Sequence, residues 1–463
     1  MQVEILRKNN MKKLPKIKIT QKPKYIKISQ NVDFFELFQK IEKNFENCFI
    51  FESLGEEGKF SRYSVMGFDP DHIIRARGNN FILDDNIYKV ENPYSSLREI
   101  MPPVNMAKNY AGGLVGYISY ETLNYFTSNP QVKIHKSFDQ FIFGVYTDGI
   151  IFDKLTNELL YFYHNINKIK IVKKIMASKI KNGRLKINFR RDSLSKEQYV
   201  QIVKKVKKEI QAGNTFQCEV GFKKEYGVYG DALRIYKNLR KVNPSPFMYY
   251  LKFNNGKSEQ KIIGASPELL FSLRNGEMTT KPLAGTIKRG KNIKADQILA
   301  GRLLNDPKEK AEHMMLVDMY RNDIGKVARF GTVKIKDLMN IKKFSHVQHI
   351  SSEIVGLLKP GEDMFSGLAS NFPAGTVSGV PKTETIKIID SNESEARGPY
   401  GGGVGSFGFN GDCTFALAIR SLFVYGNNAY TQTSSGIVAD SKTNKEYEEI
   451  EQKLSAMKNA INL

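Results

Sequence analysis

The amino-acid sequence predicts an α+β protein built on large antiparallel β-sheets. Three observations lead there. Short runs rich in Ile, Phe, Tyr and Val, bounded by Gly, Asp and Asn, follow one another at hairpin spacing. Helical periodicities come in blocks among them, an order that suits α+β rather than regular βαβ winding. No G-x-G-x-x-G lies between a strand and a helix, and no G-x-x-x-x-G-K-[ST] occurs, so a doubly wound nucleotide-binding fold is disfavoured.

Taken in order, the first elements are strands over YSVMGF (63–68), FILDD (81–85), GGLVGYISY (112–120), QFIFGVYTDGIIFD (140–153) and ELLYFYH (158–164). One helix accompanies them over 33–45, where Phe34, Leu37, Phe38, Ile41 and Phe45 form one stripe. A basic segment, 165–192, is the best boundary. It divides an N-terminal region, 1–190, from a C-terminal region, 191–463, and the two are expected to interleave. The second region opens with a helix whose start carries the capping-box pair Ser195 and Gln198. Tyr199, Ile202, Val206 and Ile210 give its apolar face, and Gly213 closes it. Asp306 and Pro307 read as N-cap and first helical residue of the helix PKEKAEHMMLVDMY.

Composition narrows the function classes. With 463 residues and 41% hydrophobic content the chain has material for a large core, which excludes a disordered tail or a disulfide-dependent miniature. Its three cysteines, Cys48, Cys218 and Cys413, cannot form a disulfide framework, and a reducing, cytoplasmic setting is expected. No apolar run approaches the ~20 residues that span a bilayer. The net charge is +22, and it is localised: residues 1–30 hold nine Lys/Arg against one acid, and 165–209 hold fifteen against three. No nucleic-acid recognition module accompanies these stretches, so solvated basic faces are expected rather than a nucleic-acid interface.

Chemistry-bearing residues concentrate in polar, glycine-rich segments of the second region: QAGNTFQCEVG (211–221), IIGASPELL (262–270), KPLAGTIKRG (281–290), KEKAEHMMLVDMYRNDIG (308–325), FSHVQHISSEIVG (344–356), NFPAGTVSGVPK (371–382), RGPYGGGVGSFGFNGD (397–412), FALAIR (415–420) and SSGIVADSKTNKEYEEIEQK (434–453). Read alone, Glu312 and Glu449 are two helical carboxylates that either meet solvent or, facing inward, suit a hard cation such as Mg²⁺. Arg420 offers a planar fork for a carboxylate or for a protein ion pair. Lys453, four residues after Glu449, lies on the same helix face.

As an ordered set these segments resemble the chorismate-binding enzymes, most closely the large subunits of anthranilate synthase, from about residue 45 to the end. The resemblance implies a fold of two large antiparallel sheets packed face to face with helices outside. It implies Mg²⁺ on Glu312 and Glu449, and chorismate against Gly285, Thr286, Thr376, Tyr400, Arg420, Gly436 and Lys453. Glu268 matches the general acid/base carboxylate and His349, in HVQH, a histidine serving the aromatising step; His346 is its competitor. FIFESLGEEGKFSRYSVMG (49–67) and NPSPFMYYL (243–251) are similar to the family's feedback element, which places Ser53, Pro246, Phe247 and Met248 around tryptophan. Relatives that form aminodeoxychorismate, the alternative activity, usually carry Lys where this chain has Ala284, and relatives that use water carry a Lys base where it has Gln217. Neither residue replaces the lysine chemically, so the resemblance implies ammonia as nucleophile and anthranilate and pyruvate as products, the entry to tryptophan biosynthesis. Cys218 and Cys413 lack a glutaminase setting, and a glutamine amidotransferase subunit is expected as partner in a hetero-oligomer. One departure stands out: Ser434 in QTSSGIVADS replaces the family's usual glycine, so its hydroxyl either joins the site or crowds it.

Overall fold

The computed structural model describes residues 13–28, 32–55, 61–103, 110–180, 183–254, 256, 258–344 and 347–462. Its frame is two antiparallel sheets of twelve strands each. The first runs β1 (Lys24–Ile28), β10 (Glu158–Tyr163), β9 (Asp148–Asp153), β3 (Tyr63–Phe68), β2 (Cys48–Glu52), β13 (Phe247–Asn254), β14 (Glu259–Ser266), β23 (Ser421–Tyr425), β24 (Asn428–Ile437), β12 (Gln217–Gly230), β11 (Leu185–Asp192), with β20 (Gly379–Val380) also on β12. The second runs β17 (Leu283–Lys288), β19 (Val347–Leu357), β16 (Glu277–Lys281), β15 (Leu269–Arg274), β22 (Cys413–Leu417), β21 (Gly403–Gly408), β7 (Gly113–Ile118), β8 (Phe141–Tyr146), β4 (His72–Arg77), β5 (Asn80–Leu83), β6 (Asn86–Lys89), with β18 (Lys334–Lys343) also on β19. Each sheet draws strands from both sides of residue 190.

The sheets bury one face against each other. Phe49, Leu251, Ile262 and Phe423 of the first sheet pack with Val115, Tyr117, Ile142 and Ala416 of the second. The Tyr117 hydroxyl crosses this layer to donate to Gln260 Oε1 at 2.7 Å, as a buried phenol must find a partner. The outer face of the first sheet is covered by the helices Phe34–Asn44 and Leu233–Val242. That of the second is covered by Pro93–Ile100, Pro307–Gly325 and Met364–Ser370. This is the expected α+β architecture.

Local signals explain where elements begin. Asp33 caps the first helix by accepting from Glu36 N at 2.7 Å. Ser195 and Gln198 form both halves of the capping box, and Gly213, at φ +78°, follows the helix Lys196–Gln211 in a backbone conformation suited to glycine. The helix opened by Asp306 and Pro307 continues past Tyr320 to Gly325, because Tyr320 and Ile324 still bury against the second sheet. The single apolar run 140–153 divides at Thr147. Tyr146 ends a strand of one sheet and Asp148 begins a strand of the other. All three cysteines are buried and unpaired, and among the described residues no helix is long and apolar enough to cross a membrane.

Candidate active site

The site grows from the pairing of β12 with β24. Glu219 stands opposite Gly436 and Gly221 opposite Ser434, and Gln217 lies two residues before Glu219. Period-two alternation puts Gln217, Glu219, Ser434 and Gly436 on one face. Glu219 is buried, and its Oε2 accepts from Ser434 Oγ at 2.6 Å. The Tyr400 hydroxyl lies 2.9 Å from the same Oγ. With Ser434 donating to the carboxylate, Tyr400 donates to Ser434. The serine that departs from the family pattern is therefore tied into a buried polar chain. The sequence motifs do not single out Glu219: it shares β12 with Gln217, Lys223, Lys224 and Glu225, so its place in the site follows only from the pairing with β24.

Lys453 connects this face to the last helix, Thr443–Asn462. Its Nζ donates to Ser434 O at 2.9 Å and pairs with Glu449 Oε1 at 2.7 Å, the i,i+4 partner anticipated. Arg420, at φ +55° in the turn before β23, donates from Nη1 to Lys453 O. A non-glycine residue in that backbone region costs on the order of 1–3 kcal/mol and persists where its surroundings hold it. Among the described residues no carboxylate forms an ion pair with Arg420. Burial holds its guanidinium below the usual arginine range.

Glu268 lies where β14 gives way to β15. It is 4% exposed, and its Oε1 accepts from Thr376 Oγ1 at 2.7 Å. Burial pushes its carboxyl up to about 8; the Glu219 charge adds to the rise, while Thr376 and Lys453 oppose it. A carboxyl in that state holds a transferable proton at neutral pH. Burial likewise lifts Glu219 to about 7, against the pull of Lys453 and Ser434.

His349 faces the same charges from the second sheet. It pairs with Thr286 across β17 and β19, and its Nδ1 lies 2.9 Å from Gly285 O and 3.1 Å from Thr286 Oγ1. The carbonyl accepts, so Nδ1 carries the hydrogen and Nε2 is the acceptor. Burial, then the charges of Arg420 and Lys453, lowers the imidazole to about 4 against the Gly285 hydrogen bond. It is neutral at pH 7. Gly285 adopts φ +64°, and a Cβ there would come within 2.8 Å of Glu309 Oε2. Its neighbour Ala284 presents only a methyl group. His313, next to Glu312, is fully buried with Nε2 2.7 Å from Ser352 Oγ, a packing position. His346 lies outside the described residues.

Glu312 projects from the helix Pro307–Gly325, half-buried, 3.5 Å from Lys308 Nζ. Burial raises its carboxyl; Lys308 opposes this, and Glu446 and Glu449 of the last helix add to the rise. Glu309 and Glu446 are also raised, by burial first and then by carboxylate neighbours that include Glu449 in both cases. Carboxylates of two helices thus feel one another's charge, although among the described residues no three acidic, histidine or cysteine side chains gather closely enough to hold a metal ion. The donor set is all carboxylate oxygen, which suits a hard divalent cation.

The proposed inhibitor residues form a separate group. β2 pairs with β13, Met248 opposite Glu52, and Leu54 N donates to Ser245 O at 2.9 Å. Ser53 is therefore brought beside Pro246, Phe247 and Met248, from nearly two hundred residues away. Its Oγ is buried without a hydrogen-bond partner.

Comparison with known proteins shows the family to which this fold belongs. The sequence pattern of the chorismate binding enzymes matches residues 46–459, and the chain belongs to that family. More particularly, it is 49% identical over 458 residues to anthranilate synthase component 1 of Leptospira biflexa, covering 97% of this chain and 98% of the relative. It is 39% identical over 428 residues to the protein of the same name from Methanothermobacter marburgensis, covering 91% of each. The crystal structure of anthranilate synthase component I from Streptococcus pneumoniae superposes with a TM-score of 0.74 at 28% identity, over 87% of this chain and 93% of that one. The menaquinone-specific isochorismate synthase of Escherichia coli shares the fold, with a TM-score of 0.74 at 17% identity over 99% and 98% of the two chains.

Proposed function

We propose that the chain converts chorismate and ammonia to anthranilate and pyruvate, as the large subunit of an anthranilate synthase. The observation that carries this reading is the gathering of two groups in the field of Lys453. They are an acid that burial keeps protonated, Glu268, and a guanidinium, Arg420, that has no carboxylate ion-pair partner among the described residues. Chorismate is a dianion that must lose a ring hydroxyl, and these groups match that chemistry. Arg420 holds a carboxylate with Lys453 beside it, and Thr376 orients the carboxyl of Glu268 for transfer to the departing hydroxyl. Tyr400 and the backbone at Gly285, Thr286 and Gly436 complete the substrate wall. His349, neutral with Nε2 as acceptor, takes the ring proton lost on aromatisation. The methyl of Ala284 leaves room for a small diffusing nucleophile and offers no amine of its own, which favours anthranilate over a 4-amino product.

Glu312 and Glu449 would hold Mg²⁺, which would supply positive charge to the second substrate carboxylate. The ammonia comes from glutamine through an amidotransferase partner in a hetero-oligomer, consistent with the component 1 naming of the relatives. Tryptophan binds between Ser53 and Pro246, Phe247 and Met248, where the unpartnered serine hydroxyl awaits a polar group. A cytoplasmic setting fits three unpaired cysteines.

The test is direct. Chorismate, Mg²⁺ and ammonium at raised pH should give fluorescent anthranilate and equimolar pyruvate without a partner protein. A 4-amino product that keeps its enolpyruvyl group, or no product, overturns the assignment. Glu312→Ala and Glu449→Ala should each abolish turnover, and full activity in both removes the metal assignment. The chain contains no tryptophan, so bound tryptophan reports through its own fluorescence.

A further inference from the structure

Tyr320 is fully buried on the helix Pro307–Gly325, and the chemistry described so far gives it no part. A buried phenol ordinarily finds a hydrogen-bond partner, yet among the described residues the Tyr320 hydroxyl completes none. What it faces is Thr376, whose hydroxyl and backbone N–H both bear on it. The two segments are in direct contact. Leu316 and Met319 of the helix close over the short turn Gly375–Val377, so tightly that a Cβ on Gly375 would collide with the Met319 methyl. Ala374, at the start of that turn, supplies no capping side chain, which leaves the phenol as the polar group beside the Thr376 N–H. From the other side Arg397 Nη1 donates to Val377 O at 2.6 Å, so the turn is held in both directions. Thr376 itself donates to Glu268 Oε1 at 2.7 Å. Its hydroxyl has one proton, and that proton is committed to the carboxyl. The lone pairs remain for a donor, and Tyr320 is the donor at hand.

We propose that Tyr320 is a positioning residue for the acid proton of Glu268, acting through Thr376 in the relay Tyr320 to Thr376 to Glu268. This rests on the anthranilate synthase reading given above. Hydrogen bonds of this kind tighten when substrate fills a site. With Tyr320 donating to Thr376, the threonine stays fixed as donor to Glu268 Oε1. An oxygen that accepts in this way is not the one that carries the hydrogen, so the proton of the neutral carboxyl sits on Oε2. From there it passes to the departing hydroxyl, which leaves as water, and the carboxylate that remains keeps its bond from Thr376. Without the phenol, Thr376 is free to turn and accept the Glu268 proton instead. That arrangement favours the neutral acid and points its hydrogen away from the substrate. Glu268 is faced by Glu219 from β12, by Lys453 from the last helix and by Tyr320, which has Asp323 on its own helix. Burial, then the Glu268 charge, holds the phenol well above its ordinary range, so Tyr320 remains an O–H donor while Glu268 titrates.

The experiment uses the full chain with chorismate, Mg²⁺ and ammonium chloride, the free ammonia concentration being held constant across pH. Tyr320→Phe should lower kcat for anthranilate by about 5- to 10-fold, the equivalent of one neutral hydrogen bond, while chorismate KM stays at the wild-type value. The alkaline limb of its kcat profile should move up by about half a pH unit, because Thr376 no longer draws Glu268 down. The position of that limb does not depend on how much protein is folded, so a loss of stability leaves the test intact. Thr376→Val severs the relay, and adding Tyr320→Phe to it should lower kcat no further. A phenol that only fills the core gives the opposite pattern: its replacement keeps or raises stability in urea and leaves both kcat and the limb in place. Wild-type kcat and limb in Tyr320→Phe overturn the proposal, as do additive losses in the double variant. A wild-type protein that makes no anthranilate removes the anthranilate synthase reading and this one together; active wild type with an unshifted limb in Tyr320→Phe removes only this one.

Discussion

Glu268 ties catalysis and stability to the same proton. Its native carboxyl titrates at about 8, raised by burial from its ordinary 4.5, so between these values the folded chain binds a proton that the unfolded chain has released. That contribution is complete below about pH 4.5 and is lost as pH rises through 8. Thermal unfolding followed across this interval should show falling stability, and Glu268→Gln should flatten the curve while removing turnover. Arg420 makes a second case. Arg420→Lys keeps the charge but loses the fork, and chorismate KM should rise by about 10- to 100-fold, the equivalent of one charge-assisted hydrogen bond. An unchanged KM would show that this guanidinium does not meet the substrate.

Among the elements, the helix Pro307–Gly325 shows how capping reaches the site. Asp306 Oδ1 accepts from Lys308 N at 2.9 Å and Glu309 N at 3.1 Å, fixing the first turn of the helix that presents Glu312. Asp306→Ala should cost about 1 kcal/mol by urea denaturation, and should weaken Mg²⁺ activation more than chorismate binding. Caps and stripes of this kind were legible in the sequence because they are local: Ser195 with Gln198, and Asp306 with Pro307, each state a helix start in four residues. The strand run 140–153 was legible as strand but not as two sheets, since nothing in its alternation marks Thr147 as the crossing. The ordered motifs picked out Glu268, His349, Arg420 and Lys453. They passed over Glu219, because its meaning depends on Gly436 and Ser434, more than two hundred residues away, facing it across the ladder.

Across the whole molecule, the residues proposed for tryptophan and the guanidinium proposed for chorismate border one sheet. Tyr249, adjacent to Met248, is buried with its hydroxyl 2.7 Å from Ser421 Oγ, and Ser421 follows Arg420. A ligand that shifts β13 therefore has a short mechanical route to the turn that holds Arg420. Tyr249→Phe removes that link without changing the ring. Tryptophan should still bind, by its fluorescence, while inhibition of anthranilate formation weakens. Equal inhibition in both proteins would mean that the signal travels elsewhere.

The order of the strands also dictates when either layer can be finished. β23 and β24 fill the place between β14 and β12, and β21 and β22 fill that between β15 and β7, yet these four are the final strands to be synthesised. Until residue 403 leaves the ribosome, each layer carries a gap with exposed strand margins, open to capture by another chain. The closing wedge also brings the candidate site residues Ser434 and Gly436, with Arg420 in its turn, so a nascent polypeptide gains these and its protection from aggregation in the same late moment.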